Sequence, residues 1–258
     1  MSRVNVVIPV HNMASTLQRA VTSVRAQIFT DWTLTLVDDA STDDSMAVAT
    51  GLARTDARIH VLRHAVNKGP AAARNTGGHA VESEYLAFLD ADDTYDPVFL
   101  EETVRFLDQE QALDAVKVGV TVPIPVEPEK LAAIRGSLVT NMVLRRVVFR
   151  FLDGFPEDEV FRGPLGGEDV AFNYLLSAPF AVGELPGAYY HHHIEAGDAS
   201  HTTRFLRRSS VTEGKLHLEG DPQLRENERL IGARISRLVA VRNLKLRLFV
   251  RRLMHRVA

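Results

Sequence analysis

The chain contains no cysteine among its 258 residues. Disulfide bonds and metal sites built from thiolates are therefore excluded. The sequence also has no uninterrupted apolar run close to the roughly 20 residues that a membrane-spanning helix needs, so any membrane contact is expected to be peripheral. No basic and apolar leader precedes the first strand-like segment, and we therefore expect a cytoplasmic location.

The chain carries little net charge, only −3 at neutral pH, but that charge is unevenly distributed. After Arg225 there are nine lysines and arginines against two glutamates. A chain of this length with 45% apolar residues can bury one large α/β core, and a second full domain is not expected. We therefore expect one globular domain followed by a basic segment with a different role.

Strand-like and helical segments alternate through the first half of the chain. Val4 to Val10 is rich in β-branched residues, as in strands that are buried on both faces. Further strands are predicted at Thr33–Val37, Ile59–Arg63 and Tyr85–Leu89, and helices at Ala14–Gln27, from Thr42–Asp44 onward and at Pro70–Ala80. This alternation predicts an α/β fold with a mostly parallel central sheet flanked by helices.

The second half is less regular. After Val122, prolines interrupt the pattern, and Leu138 to Phe149 fits a strand or a helix equally well. A loop is predicted at Asp153–Gly167, a helix from Glu168, and two short strands at Phe180–Val182 and Ala188–His193.

Polar residues follow each predicted strand of the first half. They are His11 and Asn12, Asp38 and Asp39, Asn67 to Gly69, and Asp90 to Asp93. Ligands of parallel α/β sheets bind outside the carboxyl ends of the strands. We therefore expect these clusters to converge on one crevice.

Asp90 and Asp92 flank a single small residue, Ala91, at the end of an apolar strand. Carboxylates in this arrangement suit Mg²⁺ or Mn²⁺, which are typically held by one or two carboxylates together with substrate phosphates. The alternative is that these aspartates cap a helix or form a solvated turn. The spacing alone does not decide between the two.

Asp39 and Arg74 are the other candidates for ligand contacts in the first half. Asp39, at a strand end, is placed to accept a hydrogen bond from a nucleotide base or ribose. The neighbouring Ser41 and Asp43 fit better as helix caps. Arg74, one turn into its helix, can bind a phosphate or hold a network of carboxylates, and the sequence favours neither role.

Four motifs occur in the order found in family 2 glycosyltransferases, which this chain resembles. They are VVIPVHN at Val6–Asn12, LVDDASTD at Leu36–Asp43, NKGPAAARNTG at Asn67–Gly77 and YLAFLDADD at Tyr85–Asp93. The resemblance implies the GT-A fold, a nucleotide-diphosphate sugar donor and a divalent cation, Mn²⁺ or Mg²⁺. His11 stands where the family usually has tyrosine, so the resemblance leaves the base open.

The resemblance also implies which residues bind the donor and the metal. The expected donor-binding residues are Pro9, Val10, His11, Asn12, Asp39, Asn67, Lys68, Gly69, Arg74, Asp90, Ala91 and Asp92. Asp90 and Asp92 would form the family's DxD pair, with Asp92 and Asp90 contacting the metal-bound diphosphate and the ribose.

Two motifs in the second half resemble the acceptor side of the same family. They are DGFPE at Asp153–Glu157 and GGEDVAFNYL at Gly166–Leu175. The resemblance places Gly167, Glu168 and Asp169 beside the acceptor and makes Asp169 the catalytic base. A base opposite the leaving group inverts the anomeric configuration. Taken locally, Glu168 and Asp169 also fit the acidic start of an ordinary helix.

Three consecutive histidines, His191 to His193, end a predicted strand. In related enzymes a late histidine sometimes completes the metal site, and His193 is the candidate here. Glu195 can occupy the same position, and packed or solvated histidines are the common alternative. Gly197 to His201 is predicted to be a loop that closes over the donor.

The basic segment places apolar residues among arginines at near-helical spacing. We divide the chain into a GT-A domain at 1–205, with a donor half at 1–122 and an acceptor half at 123–205, and a basic amphipathic helical tail at 206–258. Residues 225–258 can pack on the domain, self-associate or bind an anionic membrane surface. Nucleic acid is not an expected partner, because no recognised nucleic-acid-binding motif is present.

Together these features predict an inverting, metal-dependent glycosyltransferase. The donor is expected to be UDP-linked, and the acceptor a glycan, a lipid-linked saccharide or an envelope precursor. Two alternatives remain open: a sugar-nucleotide-binding scaffold with weak or no activity, and a nucleotidyltransferase. The latter is disfavoured because its glycine-rich and lysine loop is missing.

Overall fold

The structure is a computed structural model that describes residues 2–162, 166–177, 179–194, 201–218, 226 and 229–241. Glu195, nearly all of the predicted closing loop at 197–201 and most of the predicted tail after residue 241 lie outside these ranges.

A sheet of eight strands forms the centre of the described chain. The strands are β1 Val4–Val10, β2 Trp32–Asp38, β3 Ile59–Arg63, β4 Tyr85–Phe88, β5 Thr94–Tyr95, β6 Ala115–Thr121, β7 Met142–Arg145 and β8 Val182–His191. Their order is β3-β2-β1-β4-β7-β6-β8-β5. The first four strands of this order run parallel, β7 is antiparallel to both of its neighbours, and β6 runs parallel to β8. The expectation of an α/β fold with a mostly parallel sheet is confirmed.

Helices cover both faces of this sheet and extend the second half of the chain. They are α1 Leu17–Arg25, α2 Ser45–Thr55, α3 Pro70–Ala80, α4 Phe99–Gln109, α5 Pro128–Ser137, α6 Arg146–Leu152, α7 Glu168–Ser177 and α8 His201–Arg208. A 3-10 turn lies at Glu159–Phe161, and a hairpin of β9 Ser209–Thr212 and β10 Lys215–Leu218 follows α8. Residues 229–241 are helical. None of the described helices is long and apolar enough to span a membrane.

Helix α3 lies unusually close to the sheet because its inward face is made of small residues. A Cβ atom at Gly77 would lie 2.4 Å from Cγ1 of Val7 in β1, and one at Gly78 would lie 2.7 Å from the ring of Phe149 in α6. Pro70 begins the helix at a position where its missing N–H costs nothing. This close packing places Arg74 at the edge of the sheet, where the strands β1 and β4 end.

Helix α7 is held from two sides. On one side Phe172 stacks on Phe155 with ring centroids 4.2 Å apart, and on the other Ala171 packs in a small apolar cluster with Phe161 and Ile235. Ile235 belongs to the 229–241 helix, so this part of the tail packs on the domain, which is one of the alternatives left open by the sequence. Arg234 of the same helix forms an ion pair with Asp158.

The second half departs from the sequence prediction in three places. Leu138 to Phe149 contains both a strand and a helix, with the change between Arg145 and Arg146. Instead of two short strands after α7 there is one ten-residue strand, β8, because its residues pair continuously with β6 apart from one irregularity at Val118 and Val120. The predicted helical tail at 206–258 begins with the end of α8 and a β-hairpin.

Candidate active site

The polar clusters that follow the strands do meet at one edge of the sheet. The Nδ1 atom of His11 lies 2.9 Å from the carbonyl oxygen of Asp39, and the side-chain oxygen of Asn12 accepts a hydrogen bond of 2.8 Å from the main-chain N–H of Thr42. Asn12 has a φ of +56°, a left-handed conformation that asparagine tolerates better than most residues. The end of β1 is therefore joined to the end of β2, as expected.

The side chains of two expected donor residues, Val10 and Ala91, are buried and only their main chain can reach a ligand. The carbonyl of Val10 is already used, since it accepts a hydrogen bond of 2.7 Å from the N–H of Asp39. His11, Asn12, Asn67 and Lys68 have exposed side chains.

Asp39 is 3% exposed, and its carboxylate faces the loop that leads into α3. It accepts main-chain hydrogen bonds from Lys68, at 2.9 and 3.1 Å, and from Gly69, at 2.7 Å. His64 contacts the same carboxylate. Asp39 therefore joins the end of β2 to the amino end of α3 and brings the Asn67–Gly69 cluster into the crevice.

Arg74 lies at the centre of a carboxylate network, which is one of the two roles that the sequence allowed. Its guanidinium donates to Asp90 at 2.8 Å, to Asp169 at 2.8 Å and to Glu168 at 3.2 Å. The side chain is 4% exposed. Burial alone would lower the pKa of Arg74, but the three carboxylates raise that pKa above its ordinary value. One buried cation therefore links the predicted donor side to the predicted acceptor side.

One carboxylate oxygen of Asp169 accepts a hydrogen bond from Arg74, and no described residue forms a hydrogen bond with the other oxygen. Burial raises the pKa of Asp169 above its ordinary value, and the negative charge of Glu168 adds to the increase, while the charge of Arg74 opposes it. A carboxylate with a raised pKa and a free oxygen has the properties of a general base. The arrangement is thus compatible with the role that the resemblance implies.

Lys117 in β6 is a second cation near Asp169, and no sequence motif points to it. Its Nζ atom donates to the carbonyl oxygens of Gly136, at 3.1 Å, and Leu138, at 2.9 Å, at the end of α5. The amide of Asn173 in α7 donates to the same carbonyl groups, which brings the ammonium beside the helix that carries Asp169. Burial lowers the pKa of Lys117 to about 8. A lone lysine within a strand pattern gives no sequence signal of this contact.

Asp92 carries negative charge that the described residues balance only in part, through the charge of His192. Within the described ranges no lysine or arginine pairs with its carboxylate, although Arg19 donates to its main-chain carbonyl at 2.7 Å. Burial raises the pKa of Asp92 to about 7, and the charges of Asp93 and Asp90 add to the increase. Carboxylates that are crowded and partly buried without a cation fit a divalent metal ion, which would supply the missing positive charge.

The described residues do not form a complete metal cage, since no group of three or more histidine, aspartate or glutamate side chains among them is arranged to hold a metal ion. Such a cage is not required, because Mg²⁺-type ions commonly bind through one or two carboxylates plus phosphate oxygens and water. The donor set around Asp92 and Asp90 therefore fits a cation that arrives together with a diphosphate.

His192 and His193 each contact a residue next to Asp92 in the sequence or close to it. Nε2 of His193 is 3.0 Å from Oγ1 of Thr94. Nδ1 of His192 is 2.9 Å from Asp93, while its buried Nε2 has no hydrogen-bond partner within the described chain. Burial opposes protonation of His192, but its hydrogen bond to Asp93 and the charge of that carboxylate raise its pKa above the ordinary value.

Metal-binding histidines usually donate their other N–H to a carboxylate. His192 has that contact, whereas His193, the residue chosen from the sequence, is next to a hydroxyl group. Alternation along a strand places His192 opposite its two neighbours but does not reveal that Asp93 lies beneath it.

A small open cleft lies between the two predicted sides of the site. It is lined by Lys68 and Gly69 from the donor side and by Phe161, Arg162 and Glu168 from the acceptor side. Neither Asp92 nor Asp169 is among its lining residues. The cleft adjoins the carboxylate network through Glu168.

The sequence profile described as glycosyl transferase family 2 matches residues 5–148, which include β1 to β7 and the donor-side residues. The chain belongs to this family. An uncharacterized glycosyltransferase of Rickettsia felis is 36% identical over 108 residues, 42% of this chain and 18% of the relative. The putative teichuronic acid biosynthesis glycosyltransferase TuaG of Bacillus subtilis is 35% identical over 40% of this chain and 41% of its own length.

A longer match is the succinoglycan biosynthesis protein ExoU of Rhizobium meliloti, 30% identical over 66% of this chain and 52% of the relative. The chain thus matches about half or less of the length of these relatives.

Solved structures share the GT-A fold at low sequence identity. TarS 1-349 of S. aureus in complex with UDP-GlcNAc has a TM-score of 0.67 at 20% identity, covering 92% of this chain and 70% of that one. The mannosyltransferase PcManGT from Pyrobaculum calidifontis, in complex with GDP-Man and Mn²⁺, has a TM-score of 0.63 at 18% identity, covering 80% and 61%. The expectation of a GT-A fold in family 2 is confirmed.

Proposed function

We propose that this chain is an inverting, metal-dependent glycosyltransferase that moves a sugar from a nucleotide-diphosphate donor to a hydroxyl group. The observation that carries this proposal is the Arg74 network, in which one guanidinium contacts both Asp90 and Asp169 at 2.8 Å. A carboxylate for the donor side and a carboxylate for the acceptor side are thereby held at fixed positions within one crevice. Catalysis between two substrates depends on this kind of positioning.

The donor would bind at the strand ends formed by Pro9 to Asn12 and by Asn67 to Gly69. UDP-linked sugars are the first candidates, because TarS has been solved with UDP-GlcNAc. GDP-linked sugars are the second, because PcManGT has been solved with GDP-Man. His11, with its exposed imidazole, is the side chain that we expect to contact the base.

Asp92 and Asp90 would hold Mn²⁺ or Mg²⁺, with His193 or His192 as a further ligand. When bound, the ion would neutralise the charge that develops on the departing diphosphate. Arg74 keeps Asp90 in place through its hydrogen bond of 2.8 Å. The carboxylates of Asp92 and Asp90 lie close enough for the charge of Asp90 to add to the raised pKa of Asp92.

Asp169 would remove the proton from the acceptor hydroxyl group. As the acceptor oxygen forms its bond to the anomeric carbon, the bond from that carbon to the diphosphate oxygen breaks, and the proton passes to the carboxylate oxygen that Arg74 leaves free. The sugar then changes its anomeric configuration. Gly167 and Glu168 border the acceptor, which we propose to be a glycan, a lipid-linked saccharide or an envelope precursor.

The division of the chain follows from this assignment. Residues 1–122 supply the donor half, 123–205 the acceptor half, and 206–258 a tail of which the described 229–241 helix packs on the acceptor half. A cytoplasmic location, peripheral at the inner face of the membrane, would suit a lipid-linked acceptor. The basic residues of 225–258 would then bind anionic lipids or a second copy of the chain.

The first experiment is a thermal-shift screen of UDP-, GDP- and dTDP-sugars with and without Mn²⁺. A ligand that binds only the folded state raises the melting temperature, so a shift that depends on the metal would identify the donor class. No shift with any nucleotide would contradict the proposal.

The second experiment tests the base with two neighbouring variants. Asp169→Asn should abolish transfer while donor binding persists, because the amide cannot accept the proton. Glu168→Gln is the matched control, since it removes another carboxylate of the same Arg74 network. If Asp169→Asn turns over as fast as the wild type, or if Glu168→Gln is the more damaging change, Asp169 is not the base.

A further inference from the structure

A second buried hydrogen-bond chain lies next to the candidate donor site and has no part in the proposed chemistry. His64 follows β3 and is 8% exposed. Its Nδ1 atom lies 2.6 Å from Oδ1 of Asp39, and its Nε2 atom lies 2.8 Å from Oγ1 of Thr76 in α3. The imidazole thus joins the end of β2 to the second turn of the helix that carries Arg74.

The direction of each hydrogen bond follows from the partners. The carboxylate of Asp39 accepts main-chain N–H groups from Lys68 and Gly69, which requires it to act as an acceptor. Nδ1 of His64 therefore donates to Asp39, and in the neutral ring Nε2 is then an acceptor for the hydroxyl group of Thr76. One tautomer of the neutral ring satisfies both contacts.

These contacts leave the carboxylate of Asp39 with little to offer a ligand. A carboxylate has about four lone-pair sites. Three N–H groups, from His64, Lys68 and Gly69, occupy most of them, with that of Lys68 shared between the two oxygens, at distances from 2.6 to 3.1 Å. With 3% of its surface exposed, Asp39 is placed to hold the loop through these contacts.

The loop that Asp39 holds is the one expected to meet the donor. Gly69 has a φ of +89°, in the region that only glycine adopts readily, and the loop turns there into α3. Lys68 and Asn67 point outward from the loop with exposed side chains. If the loop shifts, the exposed groups and the amino end of α3 shift with it.

We propose that His64 is a positioning residue of the nucleotide site, acting on the 64–69 loop through Asp39 and Thr76. This inference rests on the proposed function for its effect on donor binding, but not for its effect on the loop. His64 makes no contact with the donor itself, and its loss should weaken donor binding without slowing the chemical step.

Two isosteric substitutions separate the two contacts of the ring. In His64→Asn the amide nitrogen takes the place of Nδ1 and can still donate to Asp39. In His64→Gln the amide reaches the place of Nε2, so the contact with Thr76 can persist while that with Asp39 is lost. Thr76→Val removes only the hydroxyl group and provides a variant with an intact imidazole.

The kinetic readout compares the change in KM for the donor with the change in kcat in each variant. Loss of a hydrogen bond to a charged group corresponds to about tenfold or more in affinity, so we expect His64→Gln to raise KM for the donor by about tenfold with kcat within about twofold. His64→Asn should stay within about threefold of the wild type, and Thr76→Val should lie between the two. A histidine with a merely structural role would show similar losses in the Asn and Gln variants.

The second readout is amide hydrogen exchange of residues 65–69, which needs no substrate. Exchange in this segment should accelerate in His64→Gln and remain near the wild-type rate in His64→Asn, with Thr76→Val again providing a variant that retains the ring. Unchanged exchange and unchanged KM in His64→Gln would overturn the inference. If the wild type binds no nucleotide but the exchange result holds, the proposed function fails while the role of His64 in the loop stands.

Discussion

Replacing Arg74 with methionine tests the central claim about the site, that one buried cation balances three carboxylates. Methionine keeps much of the length of the apolar stem and removes the guanidinium. Arg74 is 4% exposed, whereas its partners Asp90, Glu168 and Asp169 are 30%, 11% and 22% exposed. After the substitution these three negative charges remain together without a buried partner.

The magnitude follows from the burial of the partners. Breaking a buried ion pair by removing one partner costs about 3–5 kcal/mol. Because Asp90 and Asp169 keep some contact with water, we expect the lower end of that range, about 3 kcal/mol at pH 7. For a chain of this size that corresponds to a loss of about 6–12 °C in melting temperature.

The pH dependence of this loss is its most specific feature. In Arg74→Met the uncompensated carboxylates have pKa values raised above those of the unfolded chain, so the variant becomes less stable as the pH rises through these values. The gap to the wild type should therefore be largest at pH 7–8 and narrow towards pH 5.

The measurement is urea unfolding at several pH values, with Arg3→Met as the control. Arg3 also contacts two carboxylates, those of Glu84 and Asp108, but all three side chains are 35–46% exposed. Exposed pairs contribute about 1 kcal/mol or less. If Arg74→Met loses no more stability than Arg3→Met, or if its loss does not change with pH, the carboxylate network does not depend on Arg74 as we argue.

Three further predictions concern stability. Gly77→Ala should lower the free energy of unfolding by about 1–3 kcal/mol because its Cβ would overlap a valine of β1. Gly51→Ala, with nothing within 4 Å of the new atom, should instead stabilise α2 by about 0.5–1 kcal/mol, and thermal unfolding compares the two variants directly. Burial lowers the pKa of Lys117 from 10.5 to about 8, so the folded chain releases this proton at a lower pH than the unfolded chain. In urea titrations the wild type should therefore gain stability relative to Lys117→Met between pH 8 and pH 10.5, and a constant difference would contradict the burial argument. Ile235→Ala, which removes apolar packing, should destabilise the chain by about 2 kcal/mol, and Arg234→Ala, which removes an ion pair, by about 1 kcal/mol or less. The reverse order in thermal unfolding would mean that the ion pair, not apolar packing, holds the 229–241 helix.

The first half of the fold could be predicted because its signals are local. Ile59–Arg63 and Pro70–Ala80 have the same bounds in the structure as in the prediction. Proline at the first helical position and strands rich in β-branched residues mark their own boundaries. The stretch at Leu138–Phe149 has no such marker, since it contains neither proline nor glycine where β7 ends at Arg145 and α6 begins at Arg146.

Only the site residues that lie within sequence motifs could be predicted. The order of the four motifs located Asp90, Asp92 and Arg74, but the choice of Arg74 between phosphate and carboxylates depended on Asp169, 95 residues away. The contacts of Lys117 and His64 are equally non-local. A side chain whose role depends on partners in other elements leaves no periodicity or spacing in the sequence, and only the three-dimensional arrangement shows it.

The balance of charge in the crevice bears on how the donor would bind. Burial and, after it, the charges of Asp93 and Asp90 raise the pKa of Asp92 to about 7, and Arg74 is already committed to three carboxylates. A diphosphate would bring further negative charge to the same place. Its binding without a cation would therefore be opposed by Asp92 and Asp90, while a divalent ion would turn this repulsion into attraction. The arrangement thus predicts that donor and metal bind together, and that the thermal shift caused by a nucleotide sugar alone is smaller than the shift with Mn²⁺ present.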